Sequence, residues 1–154
     1  VLTDQERAAR EAQRRKEVEE QARANEERRR ERALVARYPN QAAHDAERAA
    51  ALEQVDQLTA VAEKRMVELQ VQRKKFDTEM EFYAREPNKA PMHLRRAIAE
   101  NDDAMAEQQR FVAGQAQEKR NVHQRFDAEL AQLRKLWAAR AAPLPEPTDD
   151  TGKP

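Results

Sequence analysis

The 154-residue chain has no cysteine and no serine, and only two glycines, Gly114 and Gly152. Without cysteine there is no disulfide, no thiolate metal ligand and no thiol nucleophile. Without serine there is no serine nucleophile. Two isolated glycines cannot build a phosphate-cradling loop. No apolar run approaches the ~18 residues that a membrane span requires. Neither charge sign is in excess: 29 Lys and Arg balance 29 Asp and Glu, so no net field draws the whole chain to DNA or to an anionic membrane. Large apolar side chains are also scarce, Leu, Ile, Val and Phe totalling 24. That is too few for the core of an ordinary globule of this length, which argues against a β or α/β domain.

What remains is a helix composition. Ala, Glu, Lys, Leu and Arg make up 88 residues, or 57%, the bias of long helices and coiled coils. Prolines stand at Pro39, then at Pro87 and Pro91, then at Pro143, Pro145, Pro147 and Pro154. They leave three long proline-free stretches in which a helix can run unbroken. The expected fold is all-α: a long charged N-terminal helix followed by an antiparallel two-helix coiled-coil hairpin. The expected organisation is a charged helical arm over residues 1–38, a hairpin over 39–141, and a disordered Pro-rich tail over 142–154. The hairpin helices are expected at about 41–85 and 92–141, with a turn at 86–91.

The first stretch opens with Thr3 and Glu6 in capping-box spacing. It has no sustained apolar seam. Its signature is the row Arg7, Glu11, Arg15, Glu19, Arg23, Glu27, alternating in sign at every fourth residue. On a helix each such pair contributes about 0.2–0.5 kcal/mol. Such a row reads as a solvated, self-supporting spacer helix. The cluster Arg28, Arg29, Arg30 and Arg32 is a candidate phosphate contact, but Glu26, Glu27 and Glu31 interrupt it.

In the second stretch Asn40 is the expected N-cap, and a heptad seam begins at Leu52. It runs through Val55, Thr59, Ala62, Met66, Leu69, Arg73, Phe76, Met80 and Tyr83, with spacings of three and four throughout. This is the pattern of a left-handed coiled coil. The third stretch carries Leu94, Ile98, Asn101, Met105, Gln108, Val112, Gln115, Lys119, Val122, Phe126, Leu130, Leu133 and Trp137. Its centre is polar and its ends are apolar, and Gly114 weakens the middle by about 1 kcal/mol relative to alanine. The short connection makes the two helices antiparallel neighbours. A turn centred between Asn88 and Lys89 places Val55 opposite Val122, Leu52 near Phe126, Arg48 opposite Glu129 and Lys75 opposite Asp102. It also places the Tyr38–Pro39 corner near Trp137.

The residues suggest no chemistry. His44, His93 and His123 lack the i+3 or i+4 partner that metal ligation on one helix favours, and they read as surface or rim histidines. The carboxylates have cations beside them and read as surface charge. No catalytic, cofactor-binding or metal residue is expected, and no small-molecule substrate. Phe82 and Phe111 flank the seam, as do Leu58, Val61 and Val71, and suggest a second apolar stripe. Trp137 closes the far end.

Three segments carry a resemblance: LVARYP at 34–39, EMEFY at 79–83, and RFDAEL at 125–130 running on to Leu136 and Trp137. Together they resemble the helical C-terminal region of a proteobacterial exported family of unknown function. In that family a small N-terminal β module precedes a charged helix and a long helical hairpin. The resemblance implies a periplasmic or cell-envelope location and brings no catalytic residues. The expected function is a non-enzymatic coiled-coil scaffold or protein-interaction module of the bacterial envelope. Its contacts are expected at Phe82, Phe111 and Trp137, with a protein partner or by self-association. A holdase-like periplasmic chaperone is one alternative. Nucleic-acid binding through Arg28, Arg29 and Arg30 is the other, disfavoured by the interleaved glutamates.

Overall fold

The computed structural model describes residues 1–142. The expected Pro-rich tail lies outside the described residues. Those described form three α-helices and no strand: α1 (Asp4–Arg37), α2 (Gln41–Met80) and α3 (Met92–Ala141). The all-α fold read from the sequence is therefore the fold observed.

The helix starts follow the sequence closely. The Thr3 hydroxyl accepts from the Glu6 backbone N–H at 3.2 Å, and the Glu6 carboxylate accepts from the Thr3 N–H at 3.4 Å, closing a capping box. Asn40 Oδ1 accepts from the Ala43 N–H at 3.0 Å and starts α2. The end of α2 differs in form from the expected helix to about residue 85. The α-helix stops at Met80 and tightens into a 3-10 turn over Glu81–Tyr83. A last turn of this kind recruits carbonyls that the α ladder leaves unpaired, as in the bond from the Ala84 N–H to the Glu81 carbonyl at 3.2 Å. A second 3-10 turn, Pro87–Lys89, occupies the connection, where proline supplies the required φ.

The chain forms two compact units, one of Val1–His44 with the chain from Ala128 onward, the other Asp45–Asp127. In the second unit α2 and α3 run antiparallel, as three cross-helix ion pairs show. Arg48 meets Asp127 at 2.6 Å, Asp56 meets Lys119 at 2.9 Å, and Arg73 meets Asp102 at 2.9 Å. Residue numbers rise on one helix as they fall on the other. Val55, Val122 and Phe126 form one core cluster, with Ala51 and Leu52 packed against it. Full burial of such side chains contributes about 1.5–3 kcal/mol each.

All ten seam positions from Leu52 to Tyr83, and all thirteen from Leu94 to Trp137, are buried or half-buried. The polar members are accommodated individually. Thr59 Oγ1 donates to the Val55 carbonyl at 3.0 Å. Asn101 is buried, and its Nδ2 donates to the Leu69 carbonyl at 3.1 Å and to Gln72 Oε1 at 2.9 Å. Arg73 lays its stem on the seam and reaches Asp102 and Asp77 at its rim. Two expected charge pairings are displaced by two residues. Arg48 pairs with Asp127 rather than Glu129, and Asp102 takes Arg73 rather than Lys75. All three cross-helix ion pairs are centred between Pro87 and Asn88, one residue before the turn centre expected from the sequence.

In the first unit α1 is exposed over most of its length, and none of its described residues is buried. Within the alternating row only Glu11 and Arg15 close to an ion pair among the described residues, at 3.9 Å. Ala24, Leu34 and Val35 near its end are half-buried. Tyr38, His44 and Leu133 are buried in this unit.

Candidate interaction surface

Histidine placement corrects the sequence reading. His93 is exposed, as expected for a surface histidine, but His123 is half-buried and His44 is 0% exposed. The Tyr38 ring meets the His44 ring edge-on with centroids 4.9 Å apart, an arrangement aromatic rings favour. His44 Nε2 donates to Glu129 Oε1 at 2.9 Å. A polar ring is tolerated in such a place because a carboxylate from the other end of the chain meets it. The Arg48 guanidinium donates to His123 Nδ1 at 3.0 Å, to the His123 carbonyl at 3.2 Å and to Asp127 Oδ1 at 2.6 Å. A guanidinium can only donate, so His123 Nδ1 is the acceptor and the ring proton sits on Nε2. Both contacts are structural. Among the described residues no group of three or more histidine, aspartate or glutamate side chains is placed to hold a metal ion. Among the same residues no helix is long and apolar enough to cross a membrane.

The aromatic candidates are placed differently from one another. Trp137 is half-buried, and its indole Nε1 donates to the Tyr38 carbonyl at 2.9 Å. That carbonyl stands at the end of α1, where the helix itself offers no donor. Trp137 is thereby committed to holding its own unit together. Phe82 lies in the 3-10 turn after α2 and is 86% exposed. Phe111 is 41% exposed and lines a groove of about 530 Å³ with Leu58, Val61, Ala62, Arg65, Glu107 and Gln108.

The apolar floor of that groove is open to solvent, with Leu58 52% and Val61 70% exposed. Val71, also flanking the seam, is exposed as well, as is Val67. Gly114 follows Phe111 by three residues and Glu107 by seven, which places it on the same face of α3. A methyl group built at Gly114 would meet nothing within 4 Å. No contact inside the chain requires glycine there, although glycine weakens a helix interior by about 1 kcal/mol. Gly114→Ala is accordingly expected to raise unfolding stability by about 0.5–1 kcal/mol, measured as a higher urea midpoint. A drop in the midpoint would show that the site is more crowded than the open space indicates.

The arginine candidates separate by face. Arg29 and Arg30 share one carboxylate, that of Glu26, at 3.0 and 3.5 Å. Arg28 instead donates to the neutral Asn25 Oδ1 at 2.7 Å. It lines a second groove of about 510 Å³ in the first unit, with Glu31, Arg32, Val35, Ala36, Leu136 and Arg140. Sequence reasoning did not single out Arg32 with Arg140 as one locus. They lie 108 residues apart, and no local pattern joins them.

No protein-family model, no curated protein and no solved structure matches this chain.

Proposed function

We propose that the chain is a non-enzymatic protein-interaction module in which the helical hairpin presents the Leu58, Val61 and Phe111 face to a protein partner. The observation that carries this reading is the open apolar groove beside a glycine that no internal contact requires. Apolar side chains clustered in a groove rimmed by polar ones suit burial against another protein surface. Gly114 supports the same reading, because a partner backbone approaches most closely where a side chain is missing. The charged α1 serves as a spacer, since almost all of its surface is solvated. The bacterial envelope is part of the proposal on the strength of the three-segment resemblance alone. Osmotic-shock release of the protein with periplasmic markers would support that location, and retention with cytoplasmic markers would overturn it.

The test of the face is site-specific photo-cross-linking in the organism that makes the protein. A benzoylphenylalanine replaces Phe111, an aromatic for an aromatic, or Lys64, an exposed control on the same hairpin. The expected result is a discrete covalent adduct from position 111 and none from position 64. Mass spectrometry of the adduct separates a second copy of this chain from a different protein. Equal labelling from the two positions, or none from either, would overturn the assignment of this face.

A further inference from the structure

The groove at the end of α1 points to a partner of defined chemistry. Arg28 and Arg32 stand one turn apart on one face of α1, and Val35 and Ala36 continue that face. Leu136 and Arg140 of α3 form the opposite wall. The result is an apolar floor of Val35, Ala36 and Leu136, rimmed by three guanidinium groups and one carboxylate, that of Glu31.

The rim charge is not consumed within the molecule. Among the described residues Arg32 and Arg140 form no ion pair, and Arg28 is bonded to a neutral amide. The neighbouring Arg29 and Arg30, which do not line the groove, are already paired with Glu26. Arg28 and Arg32 also lie more than a turn before the helix end at Arg37, beyond the part where the negative end of the helix dipole would offset them.

We infer that this groove docks an acidic segment of a protein partner, with apolar side chains on the Val35, Ala36 and Leu136 floor and carboxylates on Arg28, Arg32 and Arg140. The guanidinium fork matches a carboxylate in two parallel hydrogen bonds. An amphipathic helix laid in a groove offers both kinds of side chain at helical spacing. A nucleic acid fits less well, because its hydrated backbone gains nothing from the apolar floor of Val35, Ala36 and Leu136. This inference stands on the first unit alone and does not depend on the Phe111 face.

The test uses the full chain and fluorescence anisotropy. The probes are a labelled amphipathic peptide of leucine and glutamate, its leucine–lysine counterpart, and a labelled single-stranded oligonucleotide. Two double variants carry the same change in net charge: Arg28→Glu with Arg32→Glu, and Arg29→Glu with Arg30→Glu. All four positions are exposed, and circular dichroism checks that helix content is retained. The acidic peptide is expected to bind the native chain and the basic one is not. The first variant should weaken binding by about tenfold or more, the second by less than about threefold. Equal losses in both variants would reduce the effect to diffuse charge and overturn the groove. Absence of acidic-peptide binding would overturn the proposal, as would tighter oligonucleotide binding with the same dependence on Arg28 and Arg32.

Discussion

Leu69→Ala is expected to lower unfolding stability by about 3 kcal/mol, read from urea unfolding followed by helical circular dichroism. Leu69 is 1% exposed, so the truncation loses the transfer free energy of the removed carbons and leaves a void. The surroundings are poorly equipped to fill it. Phe76, Ala97 and Ala104 stand by the same hollow, and the two alanines have no further atoms to swing inward. Incomplete collapse places the loss in the middle or upper part of the range of about 2–5 kcal/mol for buried leucines. A folded unit of this size holds only about 4–12 kcal/mol at ~0.05–0.15 per residue, so a large share of the total is at stake. Val67→Ala on the same helix is the control. Val67 is exposed, and its truncation should change stability by under about 0.5 kcal/mol. A loss below about 1 kcal/mol for Leu69→Ala would show that the hairpin closes around the gap.

Asn101→Asp should be comparably damaging, at about 3 kcal/mol, although it exchanges only an amide for a carboxylate. Asn101 is buried, and its Nδ2 donates to two oxygens, the Leu69 carbonyl and Gln72 Oε1. An ionised carboxylate can only accept, so the bond to the Leu69 carbonyl becomes an oxygen–oxygen contact beside a charge withdrawn from water, and Gln72 must turn its amide to donate. The loss should shrink on acidification, because protonating the introduced carboxylate supplies one donor again. Asn101→Leu separates polarity from packing. It removes both bonds without adding a charge, and its cost should stay within about 1 kcal/mol. If Asn101→Asp and Asn101→Leu cost the same, the introduced charge is not the source of the loss. Buried asparagines at seam positions set register in coiled coils, and Asn101 has the placement for that task.

The interaction surface divides along the same physical lines as the core. Phe111 and Leu58 were visible in the sequence as apolar residues just off the seam, where a two-helix contact is too narrow to cover them. Their exposure in the hairpin agrees with that reading. Trp137 was visible only as a large aromatic. Its hydrogen bond to the Tyr38 carbonyl depends on a corner reached after most of the chain has been laid down, and it turns a candidate contact into an internal brace.

The sequence by itself determined the elements that depend on near neighbours. Proline positions bounded the helices, Thr3 and Asn40 capped two of them, and every position that the three–four spacing marked is buried or half-buried. These effects act within a few residues, so they are written locally. The tertiary structure decided where distant groups meet. It buried His44 between Tyr38 and Glu129, moved the Arg48 and Asp102 pairings by two residues, and divided one run of arginines by face. Arg29 and Arg30 found a carboxylate one turn away, whereas Arg28 and Arg32 turned toward Leu136 and Arg140 at the far end of α3. A polar residue in a sequence looks the same whether water or a remote partner satisfies it, and only the approach of that partner settles which.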